Sequence, residues 1–165
     1  MYDLVLLIAQ ILTVTALAAW ITTGVWDNIV HPDNNRLFAA QVMALERMRQ
    51  DYPTEYARVA HRAVNDPALH RLAFRFIVAC EVLAMIVLWA GAGALVLSGF
   101  GAIPSQTALA LAMLGTVLFT SVWSGFLVVG NYFCYWFCHE AGQNTHFQMT
   151  LWGLATLIVL ITSGQ

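Results

Sequence analysis

Four long apolar runs alternate with polar stretches along this chain. Leu4 to Trp26 is the first, Phe76 to Leu97 the second, Thr107 to Val129 the third, and the shorter Phe147 to Ile161 the fourth. A helix of about 20 mainly apolar residues crosses a hydrocarbon core of roughly 30 Å, and the four runs approach or exceed that length. With their flanking turns they predict spans over about residues 4–26, 72–98, 107–130 and 145–162, the last starting at Thr145 or sitting tilted. The expected fold class is all-α: a four-span transmembrane helical bundle forming one integral membrane domain, with an interfacial helical loop, residues 27–71, between spans 1 and 2.

The loop has its own pattern. Asn34 or Asn35 caps a predicted helix from about Arg36 to Gln50, which carries Phe38, Val42 and Leu45 on one face and ends at Asp51, Tyr52 and Pro53. A second helical stretch, Thr54 to Val64, follows, and Asp66 as N-cap with Pro67 at the first helical position starts the second span. So short a segment holds no independent core, so it is expected to lie along the membrane surface.

Composition excludes a soluble domain, with 60% hydrophobic residues, 10% charged residues and a mean hydropathy of +0.71. Charge adds an orientation. There is no lysine, and all seven arginines lie between Arg36 and Arg75. Under the positive-inside rule the loop is cytoplasmic and both termini periplasmic, as in a bacterial inner-membrane protein. The first run is too long for a signal-peptide core and no basic stretch precedes it, so it reads as retained. Six acids among the arginines leave the loop about +1, which argues against nucleic acid and against a strong polybasic lipid site. Arg36, Arg47, Arg49, Arg58 and Arg62 are instead expected to dock the loop on lipid, on a membrane complex or on a soluble partner.

Cys80, Cys134 and Cys138 do not form a disulfide framework; the last two, spaced i, i+4, are expected on one helix face as packing residues. Trp26, Tyr132, Tyr135 and Trp136 predict an aromatic belt at the cytoplasmic interface, and Ser121 with Gly125 makes a small-xxx-small pair on the third span.

Glu81 is the one acidic residue inside a span away from its ends, and such a carboxylate normally faces the bundle interior with a partner. Asn131, Tyr132, His139, His146 and Gln148 stand at matching depth, whereas Gln10 lies toward the opposite leaflet. Glu81, Asn131, Tyr132 and Gln148 are thus expected to form an intramembrane polar cluster, either as interhelical hydrogen-bonding glue or as a protonatable site. All five histidines fall on the same side, and His70, His139 and His146 are the candidate ligands for a b-haem or metal, with a quinone headgroup as a further option. The His139 to His146 spacing lacks the i, i+4 arrangement of a helical zinc site, and no catalytic nucleophile stands at a recognisable spacing from a base.

Two stretches, His70 to Glu81 and Gly130 to Trp136 followed by Gly142 to Met149, resemble a bacterial family of predicted small integral membrane proteins, a domain of unknown function numbered 2165. The resemblance implies a four-span topology over most of the chain and places Glu81, Asn131, Gln143 and Gln148 at motif positions, which adds Gln143 to the expected polar cluster. It implies no activity. The expected function is a non-catalytic accessory or anchor subunit of a larger energy-transducing or redox membrane complex; the alternative is a redox subunit with haem, metal or quinone at the cytoplasmic polar cluster.

Overall fold

Buried positions recur every three or four residues along each long helix, the spacing that keeps one face of an α-helix turned inward. On α1 (Tyr2–Val30) that face runs from Gln10 through Val14, Leu17, Ala18, Ile21 and Val25 to Asn28. On α5 (Pro67–Gly99) it includes Phe74, Glu81, Ala84, Leu88, Gly91 and Leu95, and on α6 (Ser105–Tyr132) Ala108, Ala112, Gly115, Phe119 and Trp123. α8 (Glu140–Ile161) contributes Gly153, Thr156 and Leu160. The computed structural model describes residues 2–162, and among them there is no β-strand.

Pair contacts show the long helices running up and down. Asn28 meets Glu81, Thr22 meets Trp89 and Leu7 meets Gly99, so α1 and α5 are antiparallel. Gly91 against Ala112 and Gly115 against Leu88 make α5 and α6 antiparallel, and Gly153 against Thr120 with Trp123 against His146 does the same for α6 and α8. α6 lies between α5 and α8, α1 packs on α5, and α8 reaches back to α1 to close the bundle. A Cβ built on Gly91 would stand 2.6 Å from the Ala112 Cα, so the absent side chain is what lets these two backbones touch.

The outward faces carry large apolar side chains such as Leu12, Phe76, Val128 and Ile158, an arrangement that suits a hydrocarbon solvent. α1, α5 and α6 are long and apolar enough to cross a membrane. α8 packs in the same bundle, but its first nine residues include Gln143, Asn144, Thr145, His146 and Gln148, which lower its apolar content.

The two ends close differently. Between α5 and α6 the Leu97 carbonyl accepts from the Ala102 N–H and the Ser98 carbonyl from the Gly101 N–H, with Gly101 at φ 73°, a Schellman cap that uses glycine where a left-handed residue is needed. The other end holds the loop, where the expected single helix from Arg36 to Gln50 is divided. α2 (Pro32–Met43) starts four residues earlier with no side-chain cap from Asn34 or Asn35, and Leu45 at φ 51° turns the chain into α3 (Glu46–Asp51). α4 (Pro53–Val59) and a 3₁₀ turn, Ala60–Arg62, follow. Asp66 then caps α5 as its sequence implies, its carboxylate accepting from the Ala68 N–H at 2.8 Å, with Pro67 at the first helical position.

The loop packs on protein. Leu45 and Met48 are buried with Cys134, against Tyr56, Val59, Phe133, Phe137 and Cys138. Cys134 and Cys138 therefore do not share one helix face: α6 stops at Tyr132, Cys134 turns left-handed at φ 54°, and α7 (Tyr135–Cys138) runs on in a new direction. All three cysteines are free thiols.

Candidate functional site

Chemistry gathers at the loop end in two places. The first is Glu81, 5% exposed, and its partner is Asn28, not a residue of the third or fourth span. The Asn28 Nδ2 donates to Glu81 Oε2 at 2.7 Å, and Asn28 Oδ1 accepts from the Asn35 Nδ2 at 2.6 Å. α1 continues through Asp27 to Val30, carrying its inward face one step past Val25 to Asn28. The result is a relay of amides from α2 to a carboxylate inside the bundle, an arrangement that partners a polar group too costly to leave alone in an apolar surround.

Asn131, Tyr132 and Gln148 are exposed and do not approach Glu81 through a hydrogen bond, and Gln143 is only half-buried. The five-residue polar cluster read from the sequence is therefore not assembled. Tyr132 serves elsewhere: the Arg62 guanidinium lies 5.5 Å from the centre of its ring and donates to its carbonyl at 3.4 Å, tying the loop to the end of α6. Arg36 pairs with Asp33 at 2.7 Å, while Arg47, Arg49 and Arg58 are exposed. Gln10 sits near the other end, in a cleft with Asp3, Ser98 and Ser105.

The second place is a run of packed rings. Trp152, Phe119, Trp20 and Trp123 stack edge-on through mid-bundle, with Trp20 and Trp123 centred 5.0 Å apart. Trp123 leads to Phe126 and His146, whose rings lie 4.6 Å apart and nearly parallel, and His146 leads to Tyr135 at 5.5 Å. Tyr135 in turn faces His139 at 5.7 Å, and Phe38 of α2 closes the run 5.2 Å from His139. Tyr135 is 3% exposed and stands between two glycines: a Cβ on Gly130 would meet its ring at 2.9 Å, and one on Gly142 would collide with its hydroxyl. Gly130 to Trp136 and Gly142 to Met149 are thus two halves of one packing unit.

Trp123 Nε1, Tyr135 Oη, His139 Nδ1 and His146 Nδ1 are buried without a hydrogen-bond partner among the described residues, and all four belong to this run. Such atoms normally find partners, so their concentration marks a functional candidate rather than plain core. Burial pushes the Tyr135 phenol up to about 12 and holds the His139 imidazole below its ordinary range, helped by the charge of Arg47. Burial also raises the Cys138 thiol. At neutral pH Tyr135 is a phenol and His139 an uncharged imidazole, able to donate and accept protons without carrying fixed charge.

His70 has a separate setting, its Nε2 2.7 Å from the Val64 carbonyl, where as a donor it fastens the end of the loop to α5. No group of three or more His, Cys, Asp or Glu side chains among the described residues stands close enough to hold a metal ion. Sequence reasoning missed Asn28, Asn35, Trp123 and the burial of Tyr135. Asn28 was findable, because it continues the three-and-four spacing of the inward face of α1.

Outward apolar faces, close-packed glycines and a buried carboxylate with a single amide partner define a small helical integral membrane protein. The chain belongs to the family of predicted small integral membrane proteins, DUF2165, whose model matches residues 6–163. No curated protein and no solved structure matches it.

Proposed function

We propose that this chain is a non-catalytic assembly subunit of a larger membrane complex, crossing a bacterial inner membrane four times with the arginine loop in the cytoplasm and both termini in the periplasm. The observation that carries the reading is the outer face of α6. Most helical glycines of the bundle are filled by a neighbour, as Gly91 is by Ala112 and Gly115 by Leu88, but Gly125, like Gly24 on α1 and Gly93 on α5, has nothing within 4 Å among the described residues. It shares an outward stripe with exposed Leu114, Val117, Ser121 and Val128, and the Ser121 hydroxyl is already spent on the Val117 carbonyl. A small recess between apolar ridges is the surface on which transmembrane helices associate, since lipid tails give helices no hydrophobic reason to pair.

Native-gel electrophoresis of gently solubilised membranes tests this. The wild-type chain is expected to migrate with one large complex, and Gly125→Leu to run as the small free form with its fold intact by circular dichroism. A chain that migrates alone in both forms rejects the assembly role.

A second reading, a redox subunit, is favoured by the four unpartnered polar atoms of the ring run. A polar headgroup such as a quinone carbonyl, or a haem held through His146, would give them partners. An absorption spectrum of the purified protein distinguishes the readings: a cofactor band lost in His146→Ala supports the redox subunit, and a colourless, quinone-free preparation rejects it.

A further inference from the structure

The loop end also contains a cavity of about 430 Å³, walled by the last turn of α1, the first turn of α2 and the second and third turns of α5. Its lining brings Arg36, Arg71 and Arg75 together above Phe74, Val78 and Asn28. We propose that this cavity seats the phosphodiester headgroup of an anionic phospholipid.

Charge is the first argument. Averaged over the loop the arginines are nearly balanced, but locally they are not. Arg71 and Arg75 are one helical turn apart, so they project from the same face of α5. The cavity's one acid, Asp33, is already paired with Arg36 at 2.7 Å. Among the described residues, two guanidinium groups are thus left without a carboxylate partner, and their forked donors match the oxygens of a phosphate. Beneath them, the Asn28 amide gives its proton to Glu81 and its carbonyl accepts from Asn35, so that side chain stands between the cavity and the carboxylate.

Depth and access are the second argument. α5 has 33 residues. At 1.5 Å per residue it is about 50 Å long, roughly 20 Å more than the hydrocarbon core, so its first turns stand among the headgroups. Leu72 and Phe76, 63% and 69% exposed, flank the arginines on α5 and suit acyl chains lying alongside. The buried Phe74 and half-buried Val78 make the lower wall apolar, where glycerol and ester carbons would rest. Basic pockets between helices at this level are recognition sites for lipid headgroups. A soluble phosphate would use the arginines but not the lipid-facing side.

The experiment takes the full chain in phosphatidylcholine nanodiscs doped with phosphatidylglycerol, releases it into mild detergent, and weighs it by native mass spectrometry. The wild type is expected to retain phosphatidylglycerol in preference to phosphatidylcholine. The double variant Arg71→Gln, Arg75→Gln is expected to lower that preference about tenfold, as loss of charge-assisted phosphate bonds implies. Val78→Trp, which fills the cavity and keeps every charge, is expected to lower it similarly. The charge-matched control Arg49→Gln, Arg58→Gln, outside the cavity, should leave it unchanged. Equal loss in the control, or full preference in Val78→Trp, would show a general surface field and overturn the site. Displacement of the lipid by inorganic phosphate would overturn the lipid assignment in favour of a free anion.

Discussion

The two ends of this bundle solve the same problem, returning the chain into the membrane, by opposite means. Between α5 and α6, five residues and a glycine cap suffice, and backbone hydrogen bonds do the work. At the loop end the turns fall on Leu45 and Cys134, both left-handed without being glycine, which costs on the order of 1–2 kcal/mol each. Both are buried in the same small apolar cluster, so packing between the two connections offsets what the backbone loses. One end is locally determined and the other is held by tertiary contacts, and the buried carboxylate, the histidines and the unpartnered atoms of Tyr135, His139 and His146 all lie in the second.

That contrast can be broken by substitution. The largest effect is expected from Gly142→Val, whose side chain must displace the Tyr135 hydroxyl; overpacking of this kind costs about 3 kcal/mol, read as a lowered midpoint in a thermal-shift assay in detergent. Next is Asn28→Ala, which strands the Glu81 carboxylate and should cost about 2 kcal/mol in a denaturant titration. Glu81→Gln, which keeps a hydrogen-bonding group against Asn28, should cost less, and Gln10→Leu near the other end should be close to neutral. If Gln10→Leu proves as damaging as Asn28→Ala, the ends are not energetically distinct.

Smaller again is Gly101→Ala, expected to cost about 1 kcal/mol because alanine resists a positive φ, with the damage confined to the α5–α6 turn in hydrogen exchange. The pH response sharpens the comparison further. His139 has its folded-state pKa below the ordinary value of 6.5, so the unfolded chain takes up its proton first as pH falls. Stability should be complete above that value and decline as pH drops below it toward the folded pKa; His139→Asn should flatten the decline in melts across that range.

The helices, the loop's helical character and the Asp66–Pro67 start of α5 were legible in the sequence because each depends on neighbours within a turn. Glu81 was legible as the unusual residue, but its partner was not. Ending the first span at Trp26 assigns Asn28 to the loop, whereas α1 runs on to Val30 and keeps that amide in the bundle. A four-residue boundary difference leaves α6 and α8 as the apparent source of a partner. Tyr135 failed for a different reason. Its place beside Tyr132 and Trp136 fits an interfacial belt, and those two are indeed exposed, but the left-handed turn at Cys134 folds Tyr135 inward. Nothing within one turn of sequence announces that reversal, because Leu45 and Met48, some 90 positions earlier, help to hold it.

The clasp of Tyr135 between Gly130 and Gly142 has a consequence for how such a sequence can change. Neither glycine is free to vary alone, because each Cβ is forbidden by the same ring. Tyr135→Phe removes the hydroxyl that crowds Gly142, so a chain carrying it should tolerate Gly142→Ala better than one that keeps tyrosine. Three positions spread over thirteen residues therefore form one epistatic unit, in which the order of substitutions decides which intermediates survive.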